Sequence, residues 1–381
     1  MGSVTFLIVI VIITALAFDF TNGFHDTANS MATSIATGAL APRVAVAVAG
    51  VLNLLGAFLS TEVARTISDG IVDDAKVSAA MIFGGLVGAI IWNLATWLLG
   101  LPSSSSHALF GGLIGAVWVG AGAGAVNTGE VLEKIVIPAV ASPLVACLVA
   151  MLSTYLAYVI TRRTRGDVAK RGFRAGQVGS ASLVALAHGT NDAQKTMGVI
   201  TLTLISGGLL APGTGPPWWV VLSAGLAIAL GTYVGGWRII RTMGKGLTHI
   251  DSPQGFAAES SATSVILASS HLGFALSTTQ VCTGSILGAG LGRRLAQVRW
   301  GVAGRIALSW VLTLPAAAAV GGVAAWVADH GDVGVGLVAG VALVAAAGFY
   351  LLSRRRPVTP DNVNDTRASV PEPSAAGQPA G

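Results

Sequence analysis

Asn22-Gly23-Phe24-His25-Asp26-Thr27-Ala28-Asn29-Ser30-Met31 sets a polar string inside an otherwise apolar stretch. His188-Gly189-Thr190-Asn191-Asp192-Ala193-Gln194-Lys195-Thr196-Met197 does the same 166 residues later. Overlaid, the two strings share Gly23 with Gly189, Asp26 with Asp192 and Met31 with Met197. A carboxylate at the centre of a membrane helix costs roughly 2.5–3.5 kcal/mol on the lenient insertion scale. Carrying that cost at matching positions in two halves points to a polar site where two repeats of a membrane protein meet.

Composition supports the membrane setting. Hydrophobic residues make up 53% of the 381 and charged residues 10%, against about 25% charge in a soluble domain. Apolar runs recur near the length of about 20 residues that spans a bilayer, and the 50 glycines suit close helix contacts in lipid. The basic residues lie in short clusters without interleaved aromatics, so no nucleic acid is expected as a partner. Cys147 and Cys282 have no disulfide or metal spacing and read as small buried hydrophobes. Val4 to Ala17 resembles the core of a signal peptide but lacks its basic start, so it is expected to stay as the first span.

These runs predict an all-α polytopic membrane protein of two inverted-topology repeats with interrupted helices, about 11 crossings in all. Residues 1–160 form the first repeat, 161–175 a basic cytoplasmic loop, 176–353 the second repeat, and 354–381 a disordered cytoplasmic tail. The polar strings are expected to break their helices near 19–30 and 188–195. Orientation follows the basic clusters. With Arg162 to Arg174 inside, Arg43, Arg238, Arg241, Lys245, Arg293, Arg294, Arg299 and Arg354 to Arg356 all fall inside. Asp69, Asp73, Asp74 and the N-terminus fall outside. Five crossings separate the strings, so the halves run in opposite directions.

Each half holds a second motif. Ser103-Ser104-Ser105-Ser106-His107 precedes Gly111 and Gly115, and Ser277-Thr278-Thr279-Gln280 precedes Gly284 and Gly288. Helix breaks at such places leave half-helix N-termini in the membrane, tolerated only inside protein or against a cavity. Their free N–H groups and dipole ends suit an anion, and hydroxyls add uncharged donors. The arrangement fits a tetrahedral oxyanion. Asp26 and Asp192 would repel that anion while ionised, so their role is to hold cations or protons beside it. A bare divalent anion entering against an inside-negative potential costs roughly 4.6 kcal/mol per 100 mV, twice the single-charge value. Cotransported cations remove that cost.

The two polar strings, the Ser103 string, Ser277-Thr278-Thr279 and Gly255-Phe256-Ala257-Ala258-Glu259 together resemble the paired signatures of the inorganic phosphate transporter (PiT) family, with the likeness running from about residue 10 to 350. The resemblance implies a bacterial-type low-affinity permease of the plasma membrane: a secondary active transporter that imports inorganic phosphate by symport with H+ or Na+, with or without a divalent metal on the phosphate, as a homo-oligomer embedded in lipid. No resident cofactor or metal and no enzymatic activity are expected. Ser103, Ser104, Ser105, Ser106, Ser277, Thr278, Thr279, Asn29 and Lys195 are the expected phosphate contacts. Asp26, Asp192, His25, Asn191, His107 and Glu259 are the expected cation or proton groups. The family pattern carries His where this chain has Gln280, which shifts any titrating role there to His107. Lys195 has an alternative as the ion-pair partner of Asp192 or Asp19, and His25 and His188 as neutral interhelical hydrogen bonders.

Competing readings remain at this level. Another tetrahedral oxyanion such as sulfate fits the same scaffold, although acceptor carboxylates favour an anion able to donate hydrogen bonds. A channel is distinguished by flux independent of a cation gradient. An intramembrane metallohydrolase using His25, Asp26, His188 and Asp192 is disfavoured because adjacent helical residues point about 100° apart.

Overall fold

The computed structural model describes residues 2–69, 72, 76–272, 276–293 and 298–365. Among them the chain is helical, with isolated bridges Val72–Val126 and Thr248–Val298 in place of a sheet. The helices are α1 (Gly2–Thr37), α2 (Pro42–Gly56), α3 (Glu62–Asp69), α4 (Ala79–Leu99), α5 (Ser105–Ala121), α6 (Thr128–Val131) and α7 (Ile137–Thr161). They continue as α8 (Gly166–Ser206), α9 (Trp218–Val234), α10 (Trp237–Arg241), α11 (Ser252–His271), α12 (Thr278–Leu291), α13 (Trp300–Ala328) and α14 (Asp332–Arg354).

Five helical stretches among the described residues are long and apolar enough to cross a bilayer: Phe6–Thr37, Ala79–Leu99, Thr128–Thr161, Trp300–Ala328 and Asp332–Arg354. Trp218–Val234 and Trp237–Gly246, bent by 60°, make a sixth if they are one span. The other segments expected to cross lie on helices that are shorter or more polar than these. Of the most hydropathic window in α14 only 11% is buried, so this helix lies at the periphery.

The expected breaks at the polar strings do not occur. Helices α1 and α8 run unbroken for 36 and 41 residues through Asp26 and Asp192. Asn, Asp, Thr and His lose only tenths of a kcal/mol, up to about 0.7, to Ala inside a helix, and neighbouring helices supply the polar partners. The glycines inside these strings serve close packing. A Cβ on Gly23 would stand 2.3 Å from the Ile228 carbonyl oxygen of α9, and one on Gly189 2.3 Å from that of Asn53 in α2. The interruptions come instead before α5 and α12. Gly100 closes α4 at φ 67°, a conformation natural to glycine, and the chain runs extended to Ser104. Ser104 (φ −89°, ψ 107°) and Ser277 (φ −82°, ψ 103°) then cap their helices alike, accepting from the backbone N–H of His107 at 3.1 Å and Gln280 at 3.3 Å.

The basic clusters gather at one end of the bundle. Arg174 donates to the Thr37 carbonyl, Lys245 to that of Ala36, Arg238 to those of Leu98 and Ser353, and Arg299 to that of Lys245. Helices α1 and α4 both terminate there and so run parallel. Two boundaries differ from the sequence reading. Helix α8 begins at Gly166, so most of the basic stretch is helical. Residues 355–365, expected to begin a disordered tail, pack against this end: Val363 is 1% exposed, and Arg241 donates to Asn362 Oδ1 at 2.8 Å. The remainder of the tail, with Asp73, Asp74 and Arg294, lies outside the described residues.

Candidate functional site

The two capped helix ends point at the middles of α1 and α8. Asp26 accepts from Ser105 Oγ at 2.8 Å and Thr279 Oγ1 at 3.2 Å, and its other oxygen lies 2.6 Å from His25 Nδ1. Asp192 accepts from Thr278 Oγ1 at 3.1 Å and pairs with Lys195 Nζ, and its Oδ2 stands 3.1 Å from His188 Nε2. Lys195 also donates to Ser106 Oγ at 2.6 Å and to the Leu276 carbonyl at 3.2 Å. Asn29 donates to Thr278 at 3.3 Å and Thr279 at 3.1 Å.

These contacts come in matched pairs. Ser105 serves Asp26 as Thr278 serves Asp192. Lys195 reaches Ser106 as Asn29, at the corresponding place in the first string, reaches Thr279. His25 Nε2 lies 3.2 Å from Thr96 Oγ1 in α4, and Asn191 donates to Ser270 Oγ in α11 at 2.9 Å. All of these side chains are buried, the carboxylates of Asp26 and Asp192 being 1% and 0% exposed.

Most of the expected site residues therefore meet. Ser103 bonds to Thr96 at 2.8 Å and lies 3.3 Å from His25, a shell outside the carboxylates. Ser104 and Ser277 spend their hydroxyls on capping. His107 does not join: its imidazole lines an apolar cavity of about 600 Å³ between α5, α7, α12 and α13, together with Gln280. One residue past Ser106, its side chain is turned by about 100° from the site. Glu259 is buried in a separate cluster toward the basic end. It accepts from Thr33 at 2.5 Å, Ser34 at 2.7 Å, Ser180 at 2.6 Å and Gln177 at 3.2 Å. Lys195 takes its ion-pair alternative with Asp192, and His25 and His188 are bonded between helices, His188 Nδ1 to Asn53 Oδ1 at 3.2 Å.

Sequence reasoning passed over Thr96, Ser270, Gln177, Ser180, Thr33 and Ser34. For Thr33 the signal was present: Asp19, Asn22, Asp26, Asn29 and Thr33 follow one another at spacings of three and four, a continuous polar stripe on one face of α1. Thr96 and Ser270 gave no signal, being single hydroxyls in apolar runs. A group of potential ligand atoms also forms that no string contains by itself. Ligand atoms of Asp26, His188 and Asp192 lie within 4.8 Å of one another. The angular argument against neighbouring His25 and Asp26 is met here by drawing ligands from two helices. Two carboxylates and one imidazole so placed have the donor atoms to ligate a cation.

Two unbroken polar helices, crossed at glycine and faced by two capped helix ends around a buried pair of aspartates, define a polytopic helical membrane protein with an internal polar site. The family model described as "Phosphate transporter family" matches residues 22–171 and 161–321, and the chain belongs to that family. A probable low-affinity inorganic phosphate transporter of Mycobacterium tuberculosis (strain CDC 1551 / Oshkosh) is 56% identical over 362 residues, 94% of this chain and 87% of the relative. One from Rhizobium meliloti (strain 1021) is 44% identical over 85% of this chain and 97% of its own. The solved structure described as "The sodium-dependent phosphate transporter" superposes with a TM-score of 0.71 at 26% identity, covering 84% of this chain and 98% of that one.

Proposed function

We propose that this protein imports inorganic phosphate across the plasma membrane by symport with a cation, through the buried site between α1, α8, α5 and α12. The observation that carries the reading is the pair of aspartates, one per half, each held by hydroxyls from the first turn of a capped helix. Phosphate is held by the free N–H groups and hydroxyls of those first turns, Ser105, Ser106, Thr278 and Thr279, with Asn29 and Lys195 beside them. Ser103, Ser104 and Ser277 shape the two ends. Asp26 and Asp192, with His188, hold the coupling cation, and His25 and Asn191 orient them. Glu259 serves the same cation on its way toward the basic end. His107 is left out of this set, because its ring faces the apolar cavity.

Charge requires such companions. Two carboxylates and a divalent phosphate carry −4 and Lys195 returns +1, so bound cations or protons must offset the remainder. The basic end faces the cytoplasm by the positive-inside rule, leaving the N-terminus of α1 outside. The matched contacts support two inverted repeats, in which the site passes access from one face to the other. We read the site as one of transport and not of catalysis, in keeping with relatives named as transporters.

The test is phosphate uptake into vesicles carrying the purified protein, under sodium and proton gradients imposed separately. Wild type should accumulate phosphate only with one of the gradients. Asp26→Asn and Asp192→Asn should each abolish gradient-driven uptake while inserting normally. Near-normal uptake by both variants, or equal uptake without any gradient, refutes the reading.

A further inference from the structure

One turn beyond the central pair, away from the basic end, stands a group of polar side chains that the reading above does not use. Asp19, Asn22, Asn93 and Thr196 are each 2% exposed or less. Both amide atoms of Asn22 and both of Asn93 have no hydrogen-bond partner, and the carboxylate of Asp19 has no side-chain neighbour to bond but Thr196. So many buried orphans in one region run against the rule that buried polar groups are paired. Each bare group costs about 1–3 kcal/mol, a cost that a bound ligand would remove.

Helical register places them within about two turns of the central pair, on its side away from the basic end. Thr96 touches His25, and the Trp97 ring packs on Phe24 with centroids 5.3 Å apart, so these two fix the side of α4 that faces α1. Asn93 lies between them on the helical wheel, one turn back from Thr96. Asn22 lies one turn back from His25 in the parallel α1. Asp19 precedes Asn22 by three residues on the same stripe and has Thr196, one turn along α8 from Asp192, beside it.

We propose that Asp19, Asn22, Asn93 and Thr196 form a second monovalent-cation site, for sodium, in line with the central pair and on its far side from the basic end. The oxygens are those a hard cation takes: carboxylate, two carboxamide carbonyls and a hydroxyl. One formal negative charge matches one monovalent ion, which the carboxylate and the two carboxamide oxygens can ligate together. The role of this site as the first stop of a coupling ion rests on the reading above; the binding itself does not.

Equilibrium binding of radioactive sodium to the purified chain in detergent, without phosphate, tests it. Wild type should hold one more sodium ion per chain than Asp19→Asn. The Asp26→Asn/Asp192→Asn double variant, inactive in transport, should keep the sodium that Asp19→Asn loses. Asn93→Ala retains the charge and should weaken that sodium by roughly tenfold or more. An unchanged sodium count in Asp19→Asn, or, where that variant does not fold, unchanged affinity in Asn93→Ala, overturns the proposal. A proton-driven uptake result would change the coupling ion of the transporter and leave this count to decide the site.

Discussion

At the residue scale the site is a problem in buried charge. Asp192 and Lys195 are both fully buried and paired, whereas Asp26 has His25 and hydroxyls but no lysine, since Asn29 occupies the equivalent place. Removing one partner of a buried pair leaves the other as a bare charge, which costs about 3–5 kcal/mol. Lys195→Met should therefore lower the thermal unfolding midpoint in detergent by more than Asp192→Asn/Lys195→Met does, with the double variant recovering most of the loss. Equal losses in the single and double variants would mean that the pair contributes nothing through its charge. The same reasoning separates Lys195 from His107. The sequence placed both near the site, but only Lys195 has the reach to an aspartate one turn away on its own helix. His107 follows Ser106 in a helix whose rotation turns alternate residues away, a consequence that spacing within a polar string does not reveal until the helix start is known.

At the element scale the spaced glycines are where helices cross. Added Cβ atoms at Gly111 and Gly115 would stand 2.4 and 2.0 Å from carbonyl oxygens of Leu314 and Ala318 in α13. At Gly284 and Gly288 the corresponding distances are 2.4 and 2.0 Å, to Pro143 and Cys147 in α7. The two short helices of the site are thus seated on long helices by the same device. Gly115→Ala and Gly288→Ala should each destabilise the protein by about 1–3 kcal/mol, since backbone cannot give way as a side chain can. Gly340→Ala in α14, with nothing within 4 Å, should leave stability unchanged or raise it by about 0.5–1 kcal/mol. Thermal unfolding of the three variants compares them; equal shifts would remove close approach as the function of the paired glycines. This also explains why the sequence suggests a break in α1 and in α8. Gly23 and Gly189 among Asn, Asp and His carry the composition of a helix break, yet both glycines face another helix at contact distance. Composition cannot distinguish a glycine that ends a helix from one that admits a neighbour. The helix starts at the two hydroxyl strings were legible, but Ser104 and Ser277, expected as phosphate contacts, cap those helices instead, because the first hydroxyl before a helix is the one placed to accept from the free N–H groups of its first turn.

At the scale of the whole molecule, polarity is distributed along an axis. Glu259 with its hydroxyls lies toward the basic end, the aspartate pair lies centrally, and Asp19 lies beyond. The basic clusters that looked separate in sequence converge through long-range contacts, and this much of the architecture was legible, since the clusters were all assigned to one side from charge alone. The tail was not. Its polar composition carried no sign that Val363 would be buried or that Arg43 and Arg241 would reach Asp361 and Asn362, with Arg43 Nη2 3.4 Å from Asp361 Oδ2. A single apolar residue in a polar segment gives no periodicity to detect. Asn364 Nδ2 donates to the Ile35 carbonyl at the last turn of α1 at 3.3 Å, so the segment is fastened to the helix that carries Asp26. The exposed Arg43–Asp361 pair contributes little; burial of Val363, about 1.5–3 kcal/mol for such a side chain, is the larger attachment. Truncation after Asp365 should leave stability and uptake as in the full chain. Truncation after Arg356 should lower the unfolding midpoint, and Val363→Asp in the full chain should reproduce most of that drop by leaving a charge where an apolar side chain was buried. If both truncations behave alike, residues 357–365 are passengers, and the end of α1 is held by the bundle without them.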